Sequence, residues 1–268
     1  MQPSKKIAIV TGASSGMGRS FTRLIAQTEP VDEIWAIARN MEKLNQLKEE
    51  LGGIVVPLSM DVSKQESAQA LAEKLDAENA EVVLLVNNAG YGKFCAYDGI
   101  SLEETLSMID TNVKGVVALT QVCLPYMKKG ARILQMSSAA SFLPLPYGNI
   151  YGATKVFVRH YARALSKELS PRGITVTAVC PYWTDTNFFD VAHDTKQKPI
   201  VTKHWPMAKP QDVARKALQD SKKGRDISVY GLVNKAQHVL TKILPDRLNM
   251  TAFLLMQGIK QGREGAEQ

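Results

Sequence analysis

The 268-residue chain is poor in the residues that build disulfide frameworks and metal centres, with three cysteines and four histidines. Cys95, Cys123 and Cys180 are odd in number and far apart, which matches neither paired bridges nor a zinc spacing. His160, His193, His204 and His238 show no ligand pattern such as His-Glu-x-x-His. Three reduced thiols and no metal are therefore expected. Long apolar runs are missing as well. None approaches the ~18 residues of a membrane span, and Ile7 to Val10 is too short for a signal-peptide core. A cytoplasmic protein is the expectation. No linker rich in Gly, Pro or Ser divides the chain and no repeat of roughly 20 to 50 residues recurs, which points to one domain.

Charge is present but unevenly placed. Residues 1–190 hold 19 Lys and Arg against 19 Asp and Glu, whereas residues 191–268 hold 14 against 7, so the whole net charge of +7 lies in the last segment. Such asymmetry marks an acidic partner, an anionic ligand, a membrane surface or simply a solvated face. No nucleic-acid partner is expected.

The first half alternates short apolar runs with helical patterns, the signature of βαβ units and a doubly wound parallel sheet with helices on both faces. Strands are predicted at Ile7 to Val10, Ile34 to Ala38, Ile54 to Leu58, Val82 to Val86, Arg132 to Met136, Thr175 to Val179 and Ile227 to Tyr230. Helices are predicted near 17–28, 41–51, 64–78, 102–128, 150–169 and 211–222. About seven strands in one sheet follow.

The first strand runs into Thr-Gly-Ala-Ser-Ser-Gly-Met-Gly-Arg, Thr11 to Arg19. Gly12, Gly16 and Gly18 allow a tight turn, close approach of backbone to a pyrophosphate and close helix packing, while Ser14, Ser15 and Met17 complete the loop. The helix that follows offers free N–H groups to phosphate. A purely structural turn is the competing reading. Roughly 20 residues further on, where NAD-binding folds place an acid against the ribose hydroxyls, the strand ends in Ala38 and Arg39. A small neutral residue followed by guanidinium suits a 2'-phosphate, so NADP(H) is preferred over NAD(H); the alternative is an exposed arginine beside an Asn40 helix cap. Asp61 and Val62 close the third strand, where the acid can meet an adenine amine or cap the segment beginning at Ser63. Asn87, Asn88, Ala89 and Gly90 close the fourth, as ligand contacts or as a plain turn.

Tyr151 and Lys155 stand four residues apart in a helical pattern, about 6 Å along one face. The nearby ammonium is expected to lower the phenol from about 10 toward about 7, making it an acid or base at neutral pH. Tyr-x-x-x-Lys also arises by chance on many helices. Ser138 ends the fifth strand thirteen residues before Tyr151, and Asn112 sits in the long helical pattern before it.

Taken together and in this order, these residues closely resemble the short-chain dehydrogenase/reductase family in its compact single-domain form, over about residues 5–230. The resemblance implies that Tyr151 is the catalytic acid/base, Ser138 bonds the substrate oxygen, Lys155 holds the nicotinamide ribose and Asn112 supports a proton relay. It further implies hydride transfer between NADP(H) and a carbonyl or secondary alcohol. Pro181 and Thr186 match the family's pattern after the sixth strand, with Thr184 placed to meet the carboxamide; Tyr182 replaces the usual glycine and leaves the loop path open. A homodimer or homotetramer through the helices at 102–128 and 150–169 is implied in the same way.

Segments 142–151 and 182–205 hold 8 of the 18 aromatic residues: Phe142, Tyr147, Tyr151, Tyr182, Trp183, Phe188, Phe189 and Trp205. Proportional placement gives about two. A roomy apolar pocket for a hydrophobic ketone, aldehyde or alcohol is expected, with about 182–210 as a substrate-binding lid; rings that only pack the lid are the alternative. Residues 231–268 are expected to form a helical C-terminal extension. Within it Leu232, Val233, Ala236, Val239, Leu240, Ile243 and Leu244 form an apolar stripe opposite Lys235, His238 and Lys242. Such a stripe packs on its own core, on a second subunit or on a membrane, and packing of the first two kinds is expected here. Met250 and Met256 read as adaptable packing. Two other functions stay open: a dinucleotide-binding sensor or scaffold without turnover, and a peripheral membrane reductase of lipid metabolism.

Overall fold

The computed structural model describes residues 4–196 and 198–259. Strands β1 (Lys5–Thr11), β2 (Glu33–Ala38), β3 (Val55–Ser59), β4 (Ala80–Asn87), β5 (Arg132–Met136), β6 (Thr175–Val179) and β7 (Ile227–Ser228) form one parallel sheet in the order β3-β2-β1-β4-β5-β6-β7. The order reverses between β1 and β4, and such switch points open a crevice at the carboxyl ends of the strands.

Two apolar layers hold the sheet. In β1, Ile7 and Ile9 enter one layer and Ala8 and Val10 the other, and all four are fully buried. Burial on both faces is why this strand reads as an unbroken apolar run. One layer is closed by α1 (Gly16–Thr28), α2 (Met41–Leu51) and α8 (Pro210–Lys222) through Phe21, Leu47 and Leu218. The other is closed by α3 (Gln65–Ala77), α5 (Gly115–Cys123) and α6 (Asn149–Leu169) through Leu71, Leu119 and Leu165. Cys95, Cys123 and Cys180 are buried and free.

Three expectations are corrected. The helix expected over 102–128 is α4 (Leu102–Ile109), a π-helical turn over Asp110–Lys114, α5, and a 3-10 turn over Leu124–Tyr126 where Pro125 cannot continue the α-pattern. The π turn carries Asn112, and single π turns inside helices recur at functional sites. β7 keeps two residues because only Ala178 and Val179 of β6 pair with it. The apolar stripe of the extension does not pack on the core: α9 (Leu232–Ile243) turns it outward, with Leu232 84% exposed. Pro245 separates α9 from α10 (Asp246–Gln257); residues 260–268 of the expected extension lie outside the described residues.

Candidate active site

A cleft of about 790 Å³ opens at the carboxyl edge of the sheet over the β1/β4 switch point. Its first half is built from backbone. Gly12, with φ +64°, turns the chain out of β1, and Thr11 Oγ1 accepts from the backbone N–H groups of Asn88 and Ala89, both at 2.9 Å. A Cβ on Gly18 would stand 2.1 Å from the Gly12 carbonyl oxygen, so only glycine lets α1 start this close to the turn. Ser15 precedes the helix without capping it through its side chain, and the first turn carries no acid. Those N–H groups are left for an anion. Ser14, Ser15, Gly16 and Met17 line the cleft, whereas Gly18 lies behind it as the packing glycine.

Along the same wall lie Arg39, Asp61, Val62, Ala89 and Gly90. Asn40 caps α2 by accepting from the Lys43 backbone at 2.9 Å, which leaves Arg39 and the Lys43 side chain, both exposed, on the cleft rim. Asp61 accepts from the Ser63 hydroxyl at 2.7 Å and its amide at 3.0 Å. Burial raises the Asp61 carboxyl, but those bonds and the charge of Arg39 outweigh it and hold the group below its ordinary value.

Asn87 is placed elsewhere. It is buried, donating to Thr120 Oγ1 at 2.9 Å and Gln135 Oε1 at 3.0 Å, and takes no part in the cleft wall. Side chains alternate along a strand, so Asn88 is the amide that faces the cradle. Its Nδ2 donates to Thr11 O at 2.9 Å.

Tyr151 and Lys155 share the inner face of α6, and Ser138 stands opposite at the end of β5, all three on the cleft wall. Two bonds tie α6 to β5: Lys155 Nζ donates to Met136 O at 2.8 Å, and Ser137 Oγ donates to Lys155 O at 2.7 Å. Asn112 lies just behind, fully buried. Its amide donates to Tyr91 O at 2.8 Å and Thr154 Oγ1 at 3.0 Å, and its oxygen accepts from Tyr91 N at 3.0 Å. It thus locks the π turn and the Tyr91 loop onto α6.

The expected cation-lowered phenol is not what this packing produces. Burial pushes Tyr151 up to about 12, against a smaller downward pull from its hydrogen bond with Ser138, and the same burial brings Lys155 down to about 8. One N–H of the amine goes to Met136 O and the nitrogen sits 5.7 Å from the Tyr151 ring centroid, so desolvation outweighs attraction. At neutral pH the phenol holds its proton.

After β6, Pro181, Thr184 and Thr186 all reach the cleft despite Tyr182 standing where a glycine is usual. The Pro181 carbonyl accepts from Ala139 N at 2.8 Å, and Thr186 Oγ1 accepts from Phe188 N at 3.3 Å at the start of α7 (Phe188–His193). Of the eight clustered aromatics, Tyr151, Tyr182, Trp183, Phe188 and Phe189 line the cleft. Phe142, Tyr147 and Trp205 do not: Phe142 packs against the His238 ring at 4.2 Å, and Trp205 is exposed. The rings also pack one another, centroids 5.4 Å apart for Tyr151 with Phe188 and 5.9 Å for Trp183 with Phe189.

Sequence reasoning missed Phe94, Lys93 and Gly92. The Phe94 ring contacts Tyr151, Trp183 and Phe188 at centroid distances of 5.9, 6.0 and 6.1 Å. A Cβ at Gly92 would meet the Tyr151 ring at 2.6 Å. Their signal was position, four residues and fewer after Gly90, where the chain leaves the cradle for the other half of the cleft.

The family model for short chain dehydrogenases matches residues 6–197, and the chain belongs to that family. Among curated relatives it is 36% identical over 179 residues, 65% of this chain and 71% of the other, to the NADP-dependent 3-hydroxy acid dehydrogenase YdfG of Escherichia coli. Among solved structures, a short-chain dehydrogenase from Streptomyces avermitilis is 25% identical with a TM-score of 0.78, covering 97% of this chain and 100% of that one. A short-chain dehydrogenase from Sphingobium yanoikuyae, in complex with NADPH, is 25% identical with a TM-score of 0.72, covering 98% and 99%.

Proposed function

We propose that the chain is an NADP(H)-dependent carbonyl reductase whose substrate is a hydrophobic ketone or aldehyde. The observation that carries this reading is the convergence of Ser138, Tyr151 and Lys155 at the junction of a backbone phosphate cradle with an aromatic half-cleft. The cradle fits a dinucleotide: uncapped N–H groups at α1, a glycine turn that a Cβ would fill, and Asp61 in the wall. Arg39 and Lys43 on the rim suit a 2'-phosphate, and relatives that bind NADP or NADPH agree. When bound, the nicotinamide supplies a hydride from C4.

The chain's own residues do the rest. Ser138 positions the substrate oxygen, and Tyr151 donates its proton to that oxygen as negative charge develops there. A phenol raised to about 12 holds its proton at neutral pH, ready to be donated in the reductive half of the cycle. Lys155, held rigidly by Met136 O, orients the sugar beside the phenol; Asn112, bonded to Thr154, keeps α6 in place. Thr184 and Thr186 hold the carboxamide end.

Phe94, Trp183, Phe188 and Phe189 make the substrate half apolar. A hydroxy acid of the kind named for the Escherichia coli relative would call for a free cation. Lys93, on the wall, is committed instead: it donates to Asp194 O at 2.7 Å, with Glu104 Oε1 and Asp194 Oδ2 each at 3.7 Å. Exposed Leu102, Leu106, Ile109 and Phe157 on α4 and α6 support a homo-oligomer through that face.

Tyr151→Phe tests the reading against a sensor or scaffold. NADPH affinity by fluorescence titration should stay within about twofold, while carbonyl-dependent NADPH oxidation falls by roughly 10² to 10⁴. A wild-type screen in which small polar carbonyls outrun bulky apolar ones rejects the substrate class.

A further inference from the structure

Helix α9 sits the wrong way round for a water-soluble surface. On α9, Asn234 and His238 face the body: Asn234 donates to Cys180 O at 2.8 Å, and the His238 ring packs on Phe142. Leu232, Val233, Val239, Leu240, Ile243 and Leu244 face out, Ile243 72% exposed. α10 seats Phe253 and Leu254 on the core beside Asn249 and Gln257, and adds Leu248, Leu255 and Met256 to the exposed apolar surface. An apolar face this continuous marks a contact with something else.

Charge selects the occupant. α9 carries no acid, and at 100° per residue Lys235 and Lys242 fall together on one flank of the apolar stripe. Two copies packed through α9 would bring these lysines together with no carboxylate on either helix to meet them. An anionic surface complements them, and an apolar stripe edged by lysines suits the interfacial zone of a bilayer. Among the described residues no helix is long and apolar enough to cross a membrane. The inward sides of the same helices contribute Gln237 and Phe253 to the cleft wall. Thr202 and Lys203 donate their backbone N–H groups to Gln257 Oε1 at 3.1 and 3.0 Å, joining the segment before exposed Trp205 to the end of α10.

We propose that α9 and α10 dock this enzyme on an anionic lipid surface, apolar face in the interface and lysines at the headgroups, which sets the aromatic cleft beside the bilayer. The contact is binding only and stands apart from turnover.

Co-sedimentation of the full chain with phosphatidylcholine vesicles, with and without phosphatidylglycerol, tests this at low and high salt. Phosphatidylglycerol vesicles should retain the protein, and retention should fall at high salt. K235E/K242E should lose at least about fivefold in partitioning per lysine. L240E/I243E, at exposed positions, should lose binding to either vesicle while keeping its melting temperature and its rate on a water-soluble carbonyl. The proposal is overturned if the wild type stays in the supernatant, if L240E/I243E still sediments with vesicles, or if the K235E/K242E charge reversal leaves phosphatidylglycerol binding unchanged. A lipid-free dimer that L240E/I243E converts to monomer, with no vesicle binding, would give the face to a second copy instead.

Discussion

The two halves of the cleft are made of different material. The cofactor half is backbone: a glycine turn, uncapped helical N–H groups and strand ends joined by Thr11 and Asn88. The substrate half is side chain: Phe94 from the loop after β4 against Trp183, Phe188 and Phe189 from the segment after β6. Backbone cradles admit no added atom because the neighbouring main chain cannot move aside. Ring clusters can repack, so one half is suited to a constant ligand and the other to a substrate that differs among relatives.

Gly18→Ala should break the contrast most severely. The new methyl meets the Gly12 carbonyl, a backbone atom, and overpacking of this kind costs about 1–3 kcal/mol or more. Thermal unfolding should show a clear fall in melting temperature together with loss of dinucleotide binding. A variant that melts and binds as wild type does would show the cradle to be as forgiving as the rings.

Arg39→Ala sharpens the cofactor side alone. A charge-assisted contact to phosphate is worth roughly 1.5–3 kcal/mol, so NADPH affinity should drop about 10- to 100-fold with NADH affinity unchanged. Equal losses for both dinucleotides would place the 2'-phosphate elsewhere, with Lys43 the next residue to test. Trp183→Ala addresses the other half. Its effect should be smaller and selective, raising KM for a bulky apolar ketone roughly tenfold while sparing a small one. A uniform fall in kcat for every carbonyl would mean that the ring only braces the loop.

Most of the cradle could be read before any coordinates, because its requirements are local. Gly12, Ser14 to Met17, Arg39, Asp61 and Gly90 are near neighbours of strand ends, and strand ends are marked by apolar runs. The fourth-strand pair shows the limit: two adjacent asparagines look alike in sequence, yet strand alternation sends Asn87 into the core and Asn88 to the cleft. Tyr151 and Lys155 were legible as neighbours on one helical face. The sign of the phenol's shift was not, since it depends on how deeply β5 and the aromatic cluster bury the ring.

Phe94 and the outward face of α9 belong to the same class of late decisions. Phe94 matters through Tyr151, Trp183 and Phe188, rings that come from α6 and from the segment after β6. The α9 stripe was evident from its period, but which side met the protein was settled by Asn234 reaching Cys180 and His238 meeting Phe142. Periodicity and motif order were enough to determine the sheet, its crevice and most of the residues that line it, because those follow from short-range geometry repeated along the chain. Burial depth, the choice between adjacent amides and the orientation of the last helices were decided only in the folded molecule, where each depends on atoms brought together from distant segments.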